Sequence, residues 1–236
     1  MHKQELFKQK YRNINPKWRE SHAIYRNIIA KEVNSDTRIL DVGCGHKSYM
    51  KTVYDKTPHT FGIDPDKEAL NKNNLINNKI VGFVSNLPFE DDYFDLVVSE
   101  WVLEHLKNPE KAFQEIYRVL KPDGKVVFLT PNALNYNVWI IRTIPNRFHS
   151  FFTKKLYGRK EEDTYPVYYK INSVMKITKI LGSIGFKKCE LILNGDPTYI
   201  SFNRPLFAFA ILLEKLLNLK PFRFAKVHII GVFKKT

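Results

Sequence analysis

Across residues 37–130, short β-rich apolar runs alternate with stretches of helical periodicity, and this alternation constrains the fold more than any other feature of the chain. Residues 37–42, 60–64, 80–84, 94–99 and 125–130 read as strands. Residues 46–55, 66–73 and 109–120 read as helices, the last opened by Pro109, whose missing N–H costs nothing at a helix start. Strands and helices at this spacing form βαβ units, and such units build a parallel sheet. Residues 121–124, Lys-Pro-Asp-Gly, read as the turn into the fifth strand.

Outside that block the rhythm loosens. Residues 17–33 read as a helix, with Trp18, His22, Tyr25, Ile28 and Ile29 at helical spacing. Residues 133–144 are expected to be helical, and residues 145–170, rich in Arg, Lys, Tyr and Phe, form an inserted loop or helical cap. Residues 172–183 read as a helix stopped by Gly185, followed by a strand over 186–193, an apolar helix over 205–219 and a last strand over 227–233. With no internal repeat and no dividing linker, the chain reads as a single domain over residues 1–236. Its parts are an N-terminal helical segment (1–34), a core (35–132), a cap (133–171) and the C-terminal part of the sheet (172–236).

Composition supports a packed fold. Hydrophobic residues make up 44% of the 236, enough to offset the entropy of ordering. Two Cys exclude a disulfide scaffold, and 10 Gly and 12 Pro without period exclude a collagen-like chain. The formal charge of +14 is unevenly placed. Residues 1–31 hold 8 basic and 2 acidic side chains, residues 32–132 hold 12 and 16, and residues 133–236 hold 18 and 6. The βαβ block is therefore mildly acidic, and the flanks carry the excess that suits an anionic partner. The N-terminus lacks an apolar signal-peptide core, and the longest apolar run, 206–213, is too short to span a bilayer. A cytoplasmic location is expected, with the basic flanks suited to the inner face of the membrane.

The sharpest local feature is Ile39-Leu40-Asp41-Val42-Gly43-Cys44-Gly45-His46. A Gly-rich turn at the end of a first strand lets a ligand lie against bare backbone, and the following helix aims free N–H groups at it. By itself such a turn is equally a tight connection. Asp64 ends the second strand, 23 residues after Asp41. An acid there accepts both hydroxyls of a ribose lying over the strand ends, or caps the helix that starts near Pro65.

Asp-Val-Gly-Cys-Gly, Gly62-Ile63-Asp64, Leu87-Pro88-Phe89, Phe94-Asp95-Leu96-Val97, Leu103-Glu104-His105-Leu106 and Leu120-Lys121-Pro122-Asp123-Gly124 follow one another in order. In this the chain resembles the class I S-adenosylmethionine-dependent methyltransferases, in the branch similar to ubiquinone-biosynthesis and other small-molecule O-methyltransferases. The resemblance covers residues 35–132. It implies a Rossmann-like α/β fold: a seven-stranded, mostly parallel sheet with helices on both faces, its last strand antiparallel, and a cap inserted after strand five. It implies S-adenosyl-L-methionine as cofactor, with Asp41, Gly43, Cys44 and Gly45 at its amino acid end and Asp64 and Pro65 at its ribose. Ser85, Asn86 and Leu87 would border the adenine, and Ser99, Glu100 and Trp101 would flank the sulfonium. Two positions depart from the family pattern: Lys47 replaces the third glycine of the turn, and Phe83 stands where an acid often holds the adenine amino group. Asn86 or Ser85 is then the substitute polar contact.

A methyl acceptor with a hydroxyl benefits from a general base. His105, just beyond the fourth strand, is the best-placed candidate, with His149 of the basic insert the second. Glu104 either orients His105 or pairs with Lys107 or Lys111. The seven His are scattered without close pairs, so no metal site is expected. In the insert, Arg147, Tyr157, Tyr168 and Tyr169 are candidates for holding the acceptor. The 205–219 helix packs on the sheet or, through Phe202, Phe207 and Phe209 beside Lys215, Lys220 and Arg223, meets a membrane surface. The expected activity is methyl transfer to a hydroxyl of a small molecule, glycan or lipid-linked precursor. An RNA methyltransferase, suggested by the charge, and an inactive scaffold, suggested by Lys47 and Phe83, are the alternatives.

Overall fold

A computed structural model describes residues 3–46, 50–136, 138 and 165–236. It holds a seven-stranded sheet in the order β3-β2-β1-β4-β5-β7-β6, mostly parallel with one antiparallel strand. The strands are β1 (Ile39–Val42), β2 (Thr60–Asp64), β3 (Asn78–Val81), β4 (Phe94–Glu100), β5 (Leu120–Pro131), β6 (Phe186–Asn194) and β7 (His228–Lys235). The helices are α1 (Lys3–Ile14), α2 (Ser21–Glu32), α3 (Lys51–Tyr54), α4 (Lys67–Lys72), α5 (Pro109–Val119), α6 (Val174–Ile184) and α7 (Arg204–Leu217).

The chain divides into two compact units. The larger contains residues 21–130, 168–192 and 229–236, and so most of the sheet. All four residues of β1 are buried, as expected of a strand covered on both faces. Its core joins Tyr25 and Ile29 of α2, four residues apart on one face, to Ile39, Leu96, Val98, Val127, Leu129 and Ile230. Phe128 of β5 and Phe233 of β7 stack with ring centroids 5.9 Å apart, and Gly231 of β7 makes room for Phe128: a Cβ there would lie 2.2 Å from Phe128 Cζ. α5 buries Ala112, Phe113, Ile116 and Val119 and is capped by Asn108, whose side chain accepts the Lys111 N–H at 3.2 Å. α6 starts at the Ser173 cap and stops at Gly185, whose φ of 117° lies outside the comfort of a side-chain-bearing residue.

The smaller unit contains residues 1–20, 131–167 and 193–228. α1 contributes Phe7 and Tyr11, which pack with Phe207 of α7, Phe7 and Phe207 having centroids 4.7 Å apart. Trp18 donates its indole N–H to the Gly195 carbonyl at 2.8 Å.

α1 falls within the N-terminal helical segment expected over residues 1–34, ahead of the helix read at 17–33. Residues 121–124 lie inside a continuous β5 instead of before it. Phe94 pairs with Leu120 and Leu96 with Lys125, so the extra residues bulge from the strand, with Asp123 at a φ of 65°.

Candidate functional site

The site lies in the larger unit, where β1, β2 and β4 finish level. Val42 is in register with Ile63 and with Ser99. Immediately beyond, Gly43 and Gly45 take φ values of 73° and 48°. A Cβ on Gly43 would lie 2.3 Å from Val102 Cγ2, so this turn needs glycine for both backbone and space. A Cβ on Gly45 would meet nothing within 4 Å, so the backbone there is open to a ligand. Cys44 points the other way, buried against Gly62 and Ile76, as a small filler; burial pushes its thiol pKa up. Asn73 donates its side-chain amide to the carbonyls of Cys44 at 3.3 Å and Gly45 at 3.0 Å, locking the turn from below.

Asp64 ends β2 with its carboxylate on this turn. Oδ2 accepts the Gly45 N–H at 2.8 Å and Oδ1 accepts the Asp66 N–H at 2.9 Å. The helix cap that Asp64 was offered belongs to Asp66, which accepts from Glu68 and Ala69 at the start of α4. Asp64 therefore keeps lone pairs for a ligand, since a carboxylate has about four acceptor sites. Pro65 follows it, exposed.

Asp41 lies one residue before the end of β1, buried, its Oδ2 accepting the Tyr54 hydroxyl at 2.7 Å. Burial, reinforced by the charges of Glu100 and Asp64 and opposed by the Tyr54 hydrogen bond, raises its pKa to about 7. Asp41 thus feels the two carboxylates at the adjacent strand ends.

The end of β4 holds Ser99, Glu100 and Trp101. The Ser99 hydroxyl is buried and takes no hydrogen bond among the described residues. Trp101 has a φ of 58°, held by donation of its N–H to the Leu129 carbonyl at 2.9 Å. Glu100 Oε1 pairs with Nδ1 of His22 from α2, and the His22 ring stands edge-on to Trp101 at 5.6 Å. Sequence reasoning gave His22 only a place on a helix. Its partner lies 78 residues away, and no local pattern announces the pairing.

After β3, Phe83 is exposed and its carbonyl accepts the Asn86 N–H at 3.0 Å, closing a turn that contains half-buried Ser85. Leu87 is buried, and α5 holds its segment firmly. Glu115 accepts the Leu87 N–H at 2.8 Å, while Arg118 donates to the carbonyls of Leu87 at 2.9 Å and Phe89 at 2.8 Å. Glu115 and Asp91, both bonded to Arg118, raise the pKa of its guanidinium further.

Beyond β4, residues Leu103–His105 form a 3-10 turn. Glu104 is buried and accepts the Thr130 hydroxyl at 3.1 Å, and Thr130 in turn accepts from the Asn172 amide at 2.6 Å. This anchoring inside the unit replaces the surface pairing with Lys107 or Lys111 that the sequence left open. Its Oε1 is 4.0 Å from Nε2 of half-buried His105, too long for a hydrogen bond. Tyr168 and Tyr169 both donate their backbone N–H to the Glu104 carbonyl, at 2.7 and 3.2 Å. The structure thus brings these two acceptor candidates beside His105. Lys47, Arg147, His149 and Tyr157 lie outside the described residues. Among the described residues no three His, Cys, Asp or Glu side chains are arranged to hold a metal ion.

These residues fit S-adenosylmethionine. Its ammonium and sulfonium are cationic, and the carboxyl groups of Asp41, Asp64 and Glu100 stand at the same strand ends. The open backbone at Gly45 and the unpartnered hydroxyl of Ser99 are features that a bound polar ligand would use. Asp41 and the Gly43–Gly45 turn would hold the amino acid end, Asp64 the ribose, and residues 85–87 would border the adenine.

Residues 40–128 match the family described as a methyltransferase domain. The chain is 31% identical over 140 residues to an uncharacterized protein of Methanocaldococcus jannaschii, a match covering 59% of this chain and 51% of that protein. It is 32% identical over 121 residues to a demethylmenaquinone methyltransferase of Staphylococcus saprophyticus, covering 47% of this chain and 52% of that enzyme. The chain therefore spans about half the length of these relatives. A solved S-adenosylmethionine-dependent methyltransferase from Mesorhizobium loti shares the fold, with a TM-score of 0.59 at 15% identity over 92% of this chain and 98% of that one.

Proposed function

We propose that this chain, which belongs to the class I S-adenosylmethionine-dependent methyltransferase family, transfers a methyl group to a hydroxyl of a small molecule, glycan or lipid-linked precursor. The cofactor of the family, S-adenosylmethionine, supplies when bound a methyl group on a cationic sulfur, which is already an activated electrophile. What the protein must add is position, exclusion of water and removal of the acceptor proton.

The observation that carries the hydroxyl reading is the His22–Glu100 pair. Glu100 belongs to the segment that the family resemblance assigns to the sulfonium. Its carboxylate on Nδ1 fixes the tautomer of His22, leaving Nε2 as the basic nitrogen. A base so held typically contributes 10²–10⁴-fold. A second reading assigns the proton to His105, because Tyr168 and Tyr169 are hydrogen-bonded to the adjoining Glu104 and so stand where an acceptor would be recognised. The carboxylate of Glu100 on its Nδ1 favours His22.

The test is to incubate the full chain with methyl-labelled S-adenosylmethionine and a lysate of its source cells, then to separate small molecules, lipids, saccharides and RNA. Label is expected on oxygen in a non-RNA fraction. His22→Gln should lower the rate about 100-fold with little change in acceptor KM and remove the base limb of the pH profile, while His105→Gln stays within a few-fold. Label in RNA, or on carbon, overturns the acceptor class. No label in any fraction overturns the activity. A large loss confined to His105→Gln transfers the base to that residue.

A further inference from the structure

α7 of the smaller unit has two apolar faces, and only one of them is covered. Phe207, Ala210, Glu214 and Leu217 are buried, at the spacing of one helical stripe. Phe207, which the sequence reading had offered to a membrane, is 8% exposed and packs on Phe7. The other stripe is in water: Phe209, Leu212 and Leu216 are 55, 65 and 44% exposed. The chain that follows extends it, because Leu219, Phe222 and Phe224, the latter two in the 3-10 turn Lys220–Ala225, are exposed as well. Single exposed apolar side chains are ordinary, but a run of six large ones on one helix and its adjoining turn marks an interaction surface.

The charges around it are of one sign. Arg204, Lys215, Lys220 and Arg223 are exposed, and the only acid from residue 204 to residue 226 is Glu214, which is buried. Asn203 caps the helix by accepting the Leu206 N–H at 2.9 Å, so the element is well formed before any partner arrives. Fourteen residues give a helix about 21 Å long, shorter than the hydrocarbon core, and among the described residues no helix is long and apolar enough to cross a membrane.

We propose that this face, Phe209, Leu212, Leu216, Leu219, Phe222 and Phe224 rimmed by Lys215, Lys220 and Arg223, docks the protein on an anionic lipid surface. α7 lies along the interface, its apolar stripe at the headgroup–acyl boundary and its basic rim on lipid phosphates and carboxylates. Three features select lipid over other occupants. A second copy of the same face would set like charges against like in an isologous contact. Half of the six side chains are leucines, which offer a nucleic acid neither stacking nor hydrogen bonds. An acidic protein surface would meet the rim but leave the apolar stripe without a counterpart. The inference does not depend on the methyl-transfer reading, and its test uses no activity.

The experiment is sedimentation of the full chain with phosphatidylcholine vesicles, with and without phosphatidylserine. The protein is expected to pellet with the anionic vesicles, less so as salt rises. Leu212→Ser with Leu216→Ser should abolish pelleting, and each of Lys215→Glu, Lys220→Glu and Arg223→Glu should weaken it at least about fivefold. All of these side chains are exposed, so Tm and far-ultraviolet dichroism should match the parent. Failure of the parent to pellet with anionic vesicles overturns the proposal. So does equal pelleting of parent and Leu212→Ser/Leu216→Ser, a dimer in light scattering that these substitutions dissolve, or an RNA gel shift that they abolish.

Discussion

At the residue scale, Asp41 is the most unusual group in the site. Its carboxyl would titrate near 3.8 in the unfolded chain and near about 7 in the fold. Between those values the folded state holds the extra proton, so this group's contribution to stability falls as pH rises through the window, and the full cost stands above about 7. Ionising the carboxyl in this environment costs at most about 4 kcal/mol. A buried acid kept at such a cost suits a cationic ligand group, which beside it would turn the cost into attraction. Asp41→Asn should therefore raise the Tm of the ligand-free protein at pH 8 by several degrees, with the gain more than halved at pH 5, while weakening cofactor binding. Calorimetric melts at the two pH values check this; a Tm lowered equally at both would contradict it. The residues of this turn were readable because glycine spacing and an acid after the next strand are local signals. The His22–Glu100 pair was not, because α2 and β4 meet only in the folded core that Tyr25 and Ile29 share with Leu96 and Val98.

At the scale of elements, the Leu87-Pro88-Phe89 segment shows how a loop is held to a helix. It is pinned by Glu115 and Arg118, three residues apart on α5, through one N–H and two carbonyls. Replacing Arg118 by Met keeps the stem of the side chain but leaves the Leu87 and Phe89 carbonyls without it. The expected result is a loss of about 2–3 kcal/mol in stability, read by denaturant unfolding, and weaker binding of adenine-bearing ligands; unchanged unfolding would mean the pins are dispensable. Strand and helix identities followed from periodicity where the buried stripe was long, as in β4 and α5. α1 was legible only as part of a helical segment over 1–34, without bounds of its own, because its buried stripe in the sequence amounts to Phe7 and Tyr11. Residues 121–124 misled for a different reason: Asp123 does take a turn conformation, but Leu120 pairs with Phe94, so the strand begins before the turn and resumes after it. Turn chemistry and strand membership are compatible wherever a bulge absorbs the extra residues.

At the scale of the whole chain, the charge of +14 sits in the flanks and leaves the methyltransferase block mildly acidic. The structure gives that division a chemical sense. Asp41, Asp64 and Glu100 belong to the acidic block and suit a cationic cofactor. Arg204, Lys215, Lys220 and Arg223 belong to the basic part and rim an exposed apolar face. The first pattern suits a cationic cofactor and the second, as proposed, an anionic lipid surface. The central claim is the first of them. Isothermal titration of S-adenosylhomocysteine into the full chain and into Asp64→Ala tests it most directly. The account predicts one saturable site in the parent and at least about 100-fold weaker binding in the variant, because two hydrogen bonds to a carboxylate are worth about 1.5–3 kcal/mol each. Equal affinity in parent and variant, or no binding to the parent, would contradict it.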